Sequence, residues 1–223
     1  MKLEQLLKEW NIQAVIFDLD GTLIDNNAFH LKSWRKYLED IKRPVSDEEY
    51  LAHINGRTNK DAVQYIYGKK MSDEEAMVYT LEKEKIYRNL YEPHIKPVNG
   101  LLEILTLLDE KKLPMGIATS GIEVNIDFMF QHIPIRKYFS CIVNSQHIKK
   151  GKPDPEIYLT TATRLKVSPT NCLVFEDAVV GIKAARSAGM KVIAVATTHD
   201  EQELAAADLV IKDFTALLEK VNP

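Results

Sequence analysis

The chain has 223 residues, enough for one large domain or two modest ones. Hydrophobic residues make up 45% and charged residues 27%, the balance of a globular protein, and a formal net charge of −3 argues against nucleic acid or an anionic membrane as partner. The two cysteines, Cys141 and Cys172, lack metal-ligand spacing and read as reduced thiols, with a disulfide as the alternative.

At the start, Leu3, Leu6, Leu7 and Trp10 fall at helical spacing, so a short amphipathic helix is expected; charge interrupts it too often for a signal peptide. The run Ala14-Val15-Ile16-Phe17 reads as the first strand. From there to Pro97 the pattern is helical. Leu31, Trp34, Leu38 and Ile41 form one stripe, and Ser46 with Glu49 and Ser72 with Glu75 have capping-box spacing. This predicts a small helical domain over 27–96, inserted into a core made of 1–26 and 97–223, with hinges near Ile24 to Asn27 and Glu92 to Val98.

Short continuous apolar runs then recur at Met115 to Ala118, Cys141 to Val143, Cys172 to Phe175, Val192 to Val195 and Leu209 to Ile211. Such runs suit strands buried on both faces of a parallel sheet. Helical patterns at Ile122 to Gln131, Pro155 to Leu165 and Val179 to Ala188 lie between them, and Gly189 sits where a helix-ending glycine belongs. The alternation predicts an α/β fold with a doubly wound parallel sheet. No run is long enough to span a bilayer, so a cytoplasmic protein is the default. The cluster Lys149-Lys150-Gly151-Lys152 is too short for a nucleic-acid arm.

In such a sheet ligands bind beyond the carboxyl ends of the strands, so chemistry is sought just after each run. After the first come Asp18 and Asp20, two carboxylates two apart on an extended chain and therefore on the same side. A solvated turn would explain an Asp and a Gly, but not two acids placed at the end of a buried strand. After the second, Thr119, Ser120 and Gly121 open a helix and suit either an oxyanion or ordinary capping. Further on, Asp154 and Pro155 read as an N-cap with proline in the first turn, and Lys152 just before them is a candidate phosphate contact or a solvated surface group. Glu176 and Asp177 follow the fourth run, as two more strand-end acids or as a helix cap.

The ordered set Asp-x-Asp-Gly-Thr-Leu (18–23), Thr-Ser (119–120), Gly-Lys-Pro-x-Pro (151–155) and Glu-Asp (176–177) resembles the haloacid dehalogenase superfamily along the whole chain. The helical insert is similar to the small cap of its β-phosphoglucomutase-like subgroup. The resemblance implies that Asp18 attacks phosphorus and becomes an aspartyl-phosphate, while Asp20 protonates the leaving oxygen and then deprotonates water. It implies Mg²⁺ held by Asp18, the Asp20 backbone carbonyl and Asp177, with Glu176 as an outer or alternate ligand. Thr119, the Ser120 amide and Lys152 would hold phosphoryl oxygens. A cap closing over this site is expected as well.

Asp20 favours phosphoryl-oxygen chemistry, because relatives that cleave carbon–halogen or carbon–phosphorus bonds lack an acid there. P-type ATPases share the first motif but need membrane spans, and a catalytically dead relative would have lost an acid or the Lys. A mutase of the subgroup carries Lys-Gly-x-x-Arg in its cap; here Asn55-Gly56-Arg57-Thr58-Asn59 puts Asn at both basic positions and leaves Arg57 as a substitute cation. Ile122-Glu123 stands where the mutase tends to have Lys-Asn. His30 matches a cap position that phosphatases and mutases of the subgroup both fill, or is a surface residue beside the Leu31 and Trp34 stripe. The expectation is a monomeric phosphatase acting on a small phosphorylated metabolite, a sugar phosphate or pyrophosphate, with β-phosphoglucomutase as the alternative and with Arg57 and His30 as cap contacts.

Overall fold

The computed structural model describes residues 2–54 and 57–218. In chain order the elements are α1 (Leu3–Glu9), β1 (Ala14–Phe17), α2 (Asn27–Asp40), α3 (Asp47–His53), α4 (Asn59–Tyr67), α5 (Asp73–Tyr91), α6 (Leu101–Glu110), β2 (Met115–Ala118), α7 (Glu123–His132), β3 (Phe139–Val143), α8 (Glu156–Leu165), β4 (Cys172–Glu176), α9 (Val179–Ser187), β5 (Lys191–Val195) and β6 (Leu209–Ile211). The chain divides into two compact units, Met1–Asp25 with Lys96–Pro223, and Asn26–Ile95.

The first unit holds, among the described residues, one six-stranded sheet in the order β3-β2-β1-β4-β5-β6 with every neighbouring pair parallel. Continuous apolar strands are stable here because both faces are covered. Side chains alternate across the sheet, so Ala14, Ile16, Cys172, Val174, Val192 and Ala194 share one face with Tyr158, Ala162, Ile182 and Ala185 of α8 and α9. On the other face Phe17 stacks on Phe175 with ring centroids 5.1 Å apart, and Phe214 meets Phe175 edge-on at 5.1 Å. Each such buried aromatic contributes about 1.5–3 kcal/mol of transfer free energy. Chain order reverses at β1 and β4, which are adjacent in register from Ala14↔Cys172 to Phe17↔Phe175. A crevice opens at that switch point in sheets of this order.

The helical unit, α2 to α5, packs Trp34, Tyr37, Leu38, Tyr50, Ile54, Ala62, Val63 and Ile66 around its own core. Ser46 accepts from the Glu49 amide at 3.1 Å and Ser72 from the Glu75 amide at 3.2 Å, so both capping signals start helices. Thr58 caps α4 in the same way, accepting from Asp61 at 3.1 Å.

Several details depart from the sequence reading. Leu31 is 41% exposed, and Ser33 and Tyr37 take its place on the buried side of α2. Helix α4 was not expected, nor α6, whose Leu101, Ile104, Leu105 and Leu108 are all buried. Helix α8 starts at Glu156 rather than Pro155, which occupies the N-cap position, while the Asp154 carboxylate accepts from the Glu156 amide at 3.0 Å. Helix α7 starts at Glu123, past the Thr119–Gly121 turn. Cys141 and Cys172 are free thiols, so the disulfide alternative falls. Asn55 and Gly56, read against the mutase pattern, lie outside the described residues. No described helix is long and apolar enough to cross a membrane.

Candidate active site

Asp18 directly follows β1, and its amide donates to the Phe175 carbonyl at 2.9 Å, which fixes it beside the end of β4. The side chain is buried, 6% exposed. At the end of β4, Glu176 and the Asp177 that follows it have buried side chains as well. Glu176 Oε2 accepts the amides of Asp177 and Ala178 at 2.7 Å each, and its Oε1 accepts the Tyr158 hydroxyl at 3.0 Å. Lys152 Nζ sits between the two strand ends, donating to Asp18 Oδ1 and to Glu176 Oε1 at 2.6 Å each. The loop that carries Lys152 is pinned to α8 by the Glu156 carboxylate, which accepts the Lys149 and Lys150 amides at 2.9 Å each.

The turn after Asp18 is closed by Gly21 N–H donating to the Ile24 carbonyl at 2.7 Å. Half-buried Asp20 faces the end of β2: a Cβ on Gly121 would lie 3.4 Å from Asp20 Oδ2 and 3.1 Å from Thr119 Oγ1. Thr119 is buried, its amide donating to the Val143 carbonyl at 3.0 Å and its hydroxyl accepting from Gly121 N–H at 2.9 Å. Ser120 next to it is exposed. Strands β2, β1 and β4 are neighbours, so these ends meet because of the strand order, not because of sequence proximity.

The electrostatics follow from burial. Loss of water pushes the Asp18 carboxyl up to about 8; Lys152 pulls it down, while Glu176 and Asp20 push it further up. Burial likewise holds Asp177 well above the usual carboxylate range, and Glu176 and Asp18 add to the effect. For Lys152 burial acts downward, but Asp18 and Glu176 outweigh it and keep the ammonium well above its ordinary value.

Oxygens of Asp18, Glu176 and Asp177 lie within 4.8 Å of one another. Lys152 brings one positive charge to this cluster, and three ionised carboxylates would exceed it by two in a buried place. Such an arrangement is costly unless protons or a cation supply the balance. One divalent ion would neutralise it, and an all-oxygen donor set suits hard Mg²⁺. The residues therefore fit the metal.

Arg57 and His30 belong to the helical unit. Arg57 is exposed and its guanidinium donates to the Ala52 carbonyl at 3.2 Å. His30 stacks on Tyr87 with centroids 3.9 Å apart, and its Nδ1 lies 2.9 Å from Lys83 Nζ. An ammonium has only protons to give, so Nδ1 accepts from Lys83, and Nε2 lies 3.5 Å from the Asn26 side-chain amide nitrogen. Lys83 also donates to Glu84 at 2.9 Å; the two residues are 1% and 2% exposed. Asn59, at the mutase's Arg position, donates to Glu84 at 3.2 Å.

Four contributors escaped the sequence reading. Tyr158 holds Glu176. Gly181 makes room for it: a Cβ there would fall 1.6 Å from Glu176 Oε1. A glycine inside the Val179 to Ala188 helical pattern was a readable sign of close approach. Thr197 and Thr198, just past β5, donate to the Gly21 carbonyl and to Asp177 Oδ2.

A family model described as haloacid dehalogenase-like hydrolase matches residues 15–195. Fructose-1-phosphate phosphatase YqaB of Escherichia coli is 32% identical over 182 residues, covering 82% of this chain and 95% of that protein. β-Phosphoglucomutase of Bacillus subtilis is 31% identical over 214 residues, covering 92% of each. Among solved structures, a HAD hydrolase of family IA, variant 3, from Entamoeba histolytica matches with a TM-score of 0.84 at 35% identity, covering 93% of this chain and 96% of that one.

Proposed function

The chain belongs to the haloacid dehalogenase-like hydrolase family and is an enzyme of that family; from that premise we propose that it is a Mg²⁺-dependent phosphatase, hydrolysing a small sugar phosphate through a phosphorylated Asp18. The carrying observation is the buried Asp18, bonded to Lys152 and clustered with Glu176 and Asp177, with Asp20 facing the Thr119–Gly121 turn.

In this reading an Asp18 oxygen attacks phosphorus, the bond from phosphorus to the ester oxygen breaks, and Asp20 gives its proton to the departing alcohol. Asp20 then takes a proton from water as the water oxygen attacks the aspartyl-phosphate. The bond to Asp18 breaks and inorganic phosphate leaves. Thr119, the Ser120 amide and the Lys152 ammonium are assigned to the phosphoryl oxygens, where negative charge accumulates. Mg²⁺, held by Asp18, the Asp20 carbonyl and Asp177 with Glu176 beside them, would supply positive charge against the repulsion between carboxylate and phosphate. Arg57 and His30 are assigned to substrate selection. The same reading makes the enzyme a cytoplasmic monomer without nucleic-acid or membrane partner; light scattering of the purified protein checks the monomer.

The mutase reading draws support from the Bacillus subtilis relative. Hydrolysis is favoured because Asn59 stands at the mutase's Arg position and its amide is engaged with Glu84, while Arg57 donates to a carbonyl of its own unit. A second phosphate would then be held too weakly to reorient and return its phosphoryl group. The deciding assay supplies β-glucose 1-phosphate with a trace of glucose 1,6-bisphosphate and follows inorganic phosphate against glucose 6-phosphate. Phosphate release is expected; rapid glucose 6-phosphate formation with little phosphate would transfer the assignment to the mutase. Turnover of fructose 1-phosphate, other sugar phosphates and pyrophosphate in parallel tests the substrate class.

A further inference from the structure

Two hydroxyls that the chemistry above does not use stand just beyond β5. Glu176 of β4 pairs with Ala194 of β5, so the residues that follow Val195 run past the carboxyl end of β4, where Asp177 lies. The backbone there is held in place: Ala196 N–H donates to the Ile211 carbonyl at 2.8 Å and Thr197 N–H to the Val195 carbonyl at 2.9 Å. From this turn Thr197 Oγ1 donates to the Gly21 carbonyl and Thr198 Oγ1 to Asp177 Oδ2. Thr198 itself is exposed whereas Asp177 is buried, so a solvent-facing residue sends its one polar group inward to a carboxylate.

A carboxylate's terminal torsion is broad, so the plane of an aspartate is set by what bonds to its oxygens. A donor on Oδ2 fixes that plane and with it the direction in which the other oxygen points. We propose that Thr198 is a positioning residue for the metal site, orienting the Asp177 carboxylate toward the divalent cation before the cation arrives. The inference rests on the reading that Asp18, Glu176 and Asp177 hold Mg²⁺. Hydrogen bonds from such outer partners to metal ligands typically govern 10–100-fold in metal affinity. Thr197, from the same turn, bonds the Gly21 carbonyl of the turn that carries Asp20.

The test is calorimetric titration of Mg²⁺ into EDTA-treated, dialysed protein, with the Mg²⁺-induced rise in urea midpoint as a second readout. Thr198→Val keeps the shape and removes the hydroxyl; it should weaken Mg²⁺ roughly 10–100-fold, while in EDTA the loss of one bond to Asp177 should lower the urea midpoint only modestly and leave the circular dichroism spectrum that of wild type. Thr198→Ser restores the donor and should recover most of the affinity. Thr163→Val is the matched control, its hydroxyl bonding only the Leu159 carbonyl of its own helix among the bonds resolved, and should bind like wild type. If wild type takes up no Mg²⁺, the metal reading fails and this inference with it. If wild type binds and Thr198→Val binds equally well, the metal stands and the positioning role is refuted. Equal weakening in Thr198→Val and Thr198→Ser also refutes it, since the hydroxyl is then not the cause. Should Thr198→Val fail to fold by circular dichroism, Thr198→Ala carries the same expectation.

Discussion

Gly181→Ala is the substitution whose cost is most directly set by the geometry. Gly181 lies in the first turn of α9, where an added Cβ would sit 1.6 Å from Glu176 Oε1 and 2.0 Å from its Cδ. No rotation of a methyl relieves such an overlap, so the Glu176 carboxylate must move. The contacts made through Oε1 are then lost: Lys152 Nζ at 2.6 Å and the Tyr158 hydroxyl at 3.0 Å. Hydrogen bonds to a charged group are worth about 1.5–3 kcal/mol each, about 3–6 kcal/mol for two. Alanine returns up to about 1 kcal/mol of helix propensity. The net loss is therefore roughly 2–5 kcal/mol, which at a urea slope of about 2 kcal/mol/M lowers the midpoint by roughly 1–2.5 M. The control is a double-mutant cycle with Glu176→Ala. Once the carboxylate is gone, Gly181→Ala should be neutral or stabilising by up to about 1 kcal/mol. An equal cost in both backgrounds would show that Gly181 is constrained by something other than Glu176.

Asp18→Asn keeps the side chain's shape, so the purified variant should fold as wild type yet lose essentially all turnover of phosphate esters; near wild-type turnover would remove Asp18 as nucleophile. A free Asp releases its proton near 3.9, but folded Asp18 holds one up to about 8, so the metal-free native state binds more protons than the unfolded chain between those values. Stability in EDTA should therefore fall as pH rises from about 4 to 8, Asp177 acting in the same direction, and Mg²⁺ should restore more stability at pH 8 than at pH 5. Urea midpoints at both pH values with and without Mg²⁺ check this, and a midpoint in EDTA that climbs with pH contradicts it. In the helical unit Glu84→Leu removes the carboxylate beside the buried Lys83 ammonium and should cost about 3–5 kcal/mol, whereas Lys83→Met with Glu84→Leu should recover much of it. Chemical unfolding of both variants is the check; equal losses would mean that the pair's charge is not what matters.

Most of the sheet was legible because its strands are buried on both faces and so read as unbroken apolar runs. β1, β2 and β6 have the bounds that the runs gave, and β3 to β5 differ by one or two residues at an end. Helices were harder where polar groups share the buried side. In α2 the stripe through Leu31 missed because Ser33 is buried and donates to the His30 carbonyl at 2.8 Å, turning the inner face away from Leu31. Helix α4 is nine residues long and starts on a lone Thr, without the Ser-x-x-Glu signal that marked α3 and α5. In α6 the spacing of its four buried apolar residues did carry the signal. At the site, Asp18, Asp20, Glu176 and Asp177 were legible because acids at the ends of buried strands are conspicuous. The surroundings of Lys152 were not. Its partners are 134 and 24 residues away in sequence, and nothing local distinguishes it from a solvated lysine. Thr197 and Thr198 were hidden for the same reason: their role depends on the β4–β5 register.

Among the described residues two lysine–glutamate contacts are buried, and comparing them separates structure from chemistry. In the helical unit Lys83 donates to Glu84, with Asn59 also donating to the carboxylate and the Trp34 ring 5.0 Å from the ammonium. These two groups carry opposite charges, and the pair can be explained as packing between α2 and α5 with the His30 contact as its addition. At the sheet ends Lys152 meets Glu176, but Asp18 and Asp177 share the same space. Hydrogen bonds from two amides, a tyrosine and a threonine hold these acids in place without balancing their charge. A hydrophobic replacement of similar volume would commonly make such a core more stable. Gathering these acids in a buried place is thus a stability cost that packing does not explain; burial first, and then their mutual repulsion, hold Asp18 and Asp177 above the usual carboxylate range. Perturbed groups of this kind mark sites where charge is needed for chemistry. On the proposed reading, a cation bound there would offset the repulsion among these carboxylates and keep Asp18 ionised, the form that attacks phosphorus.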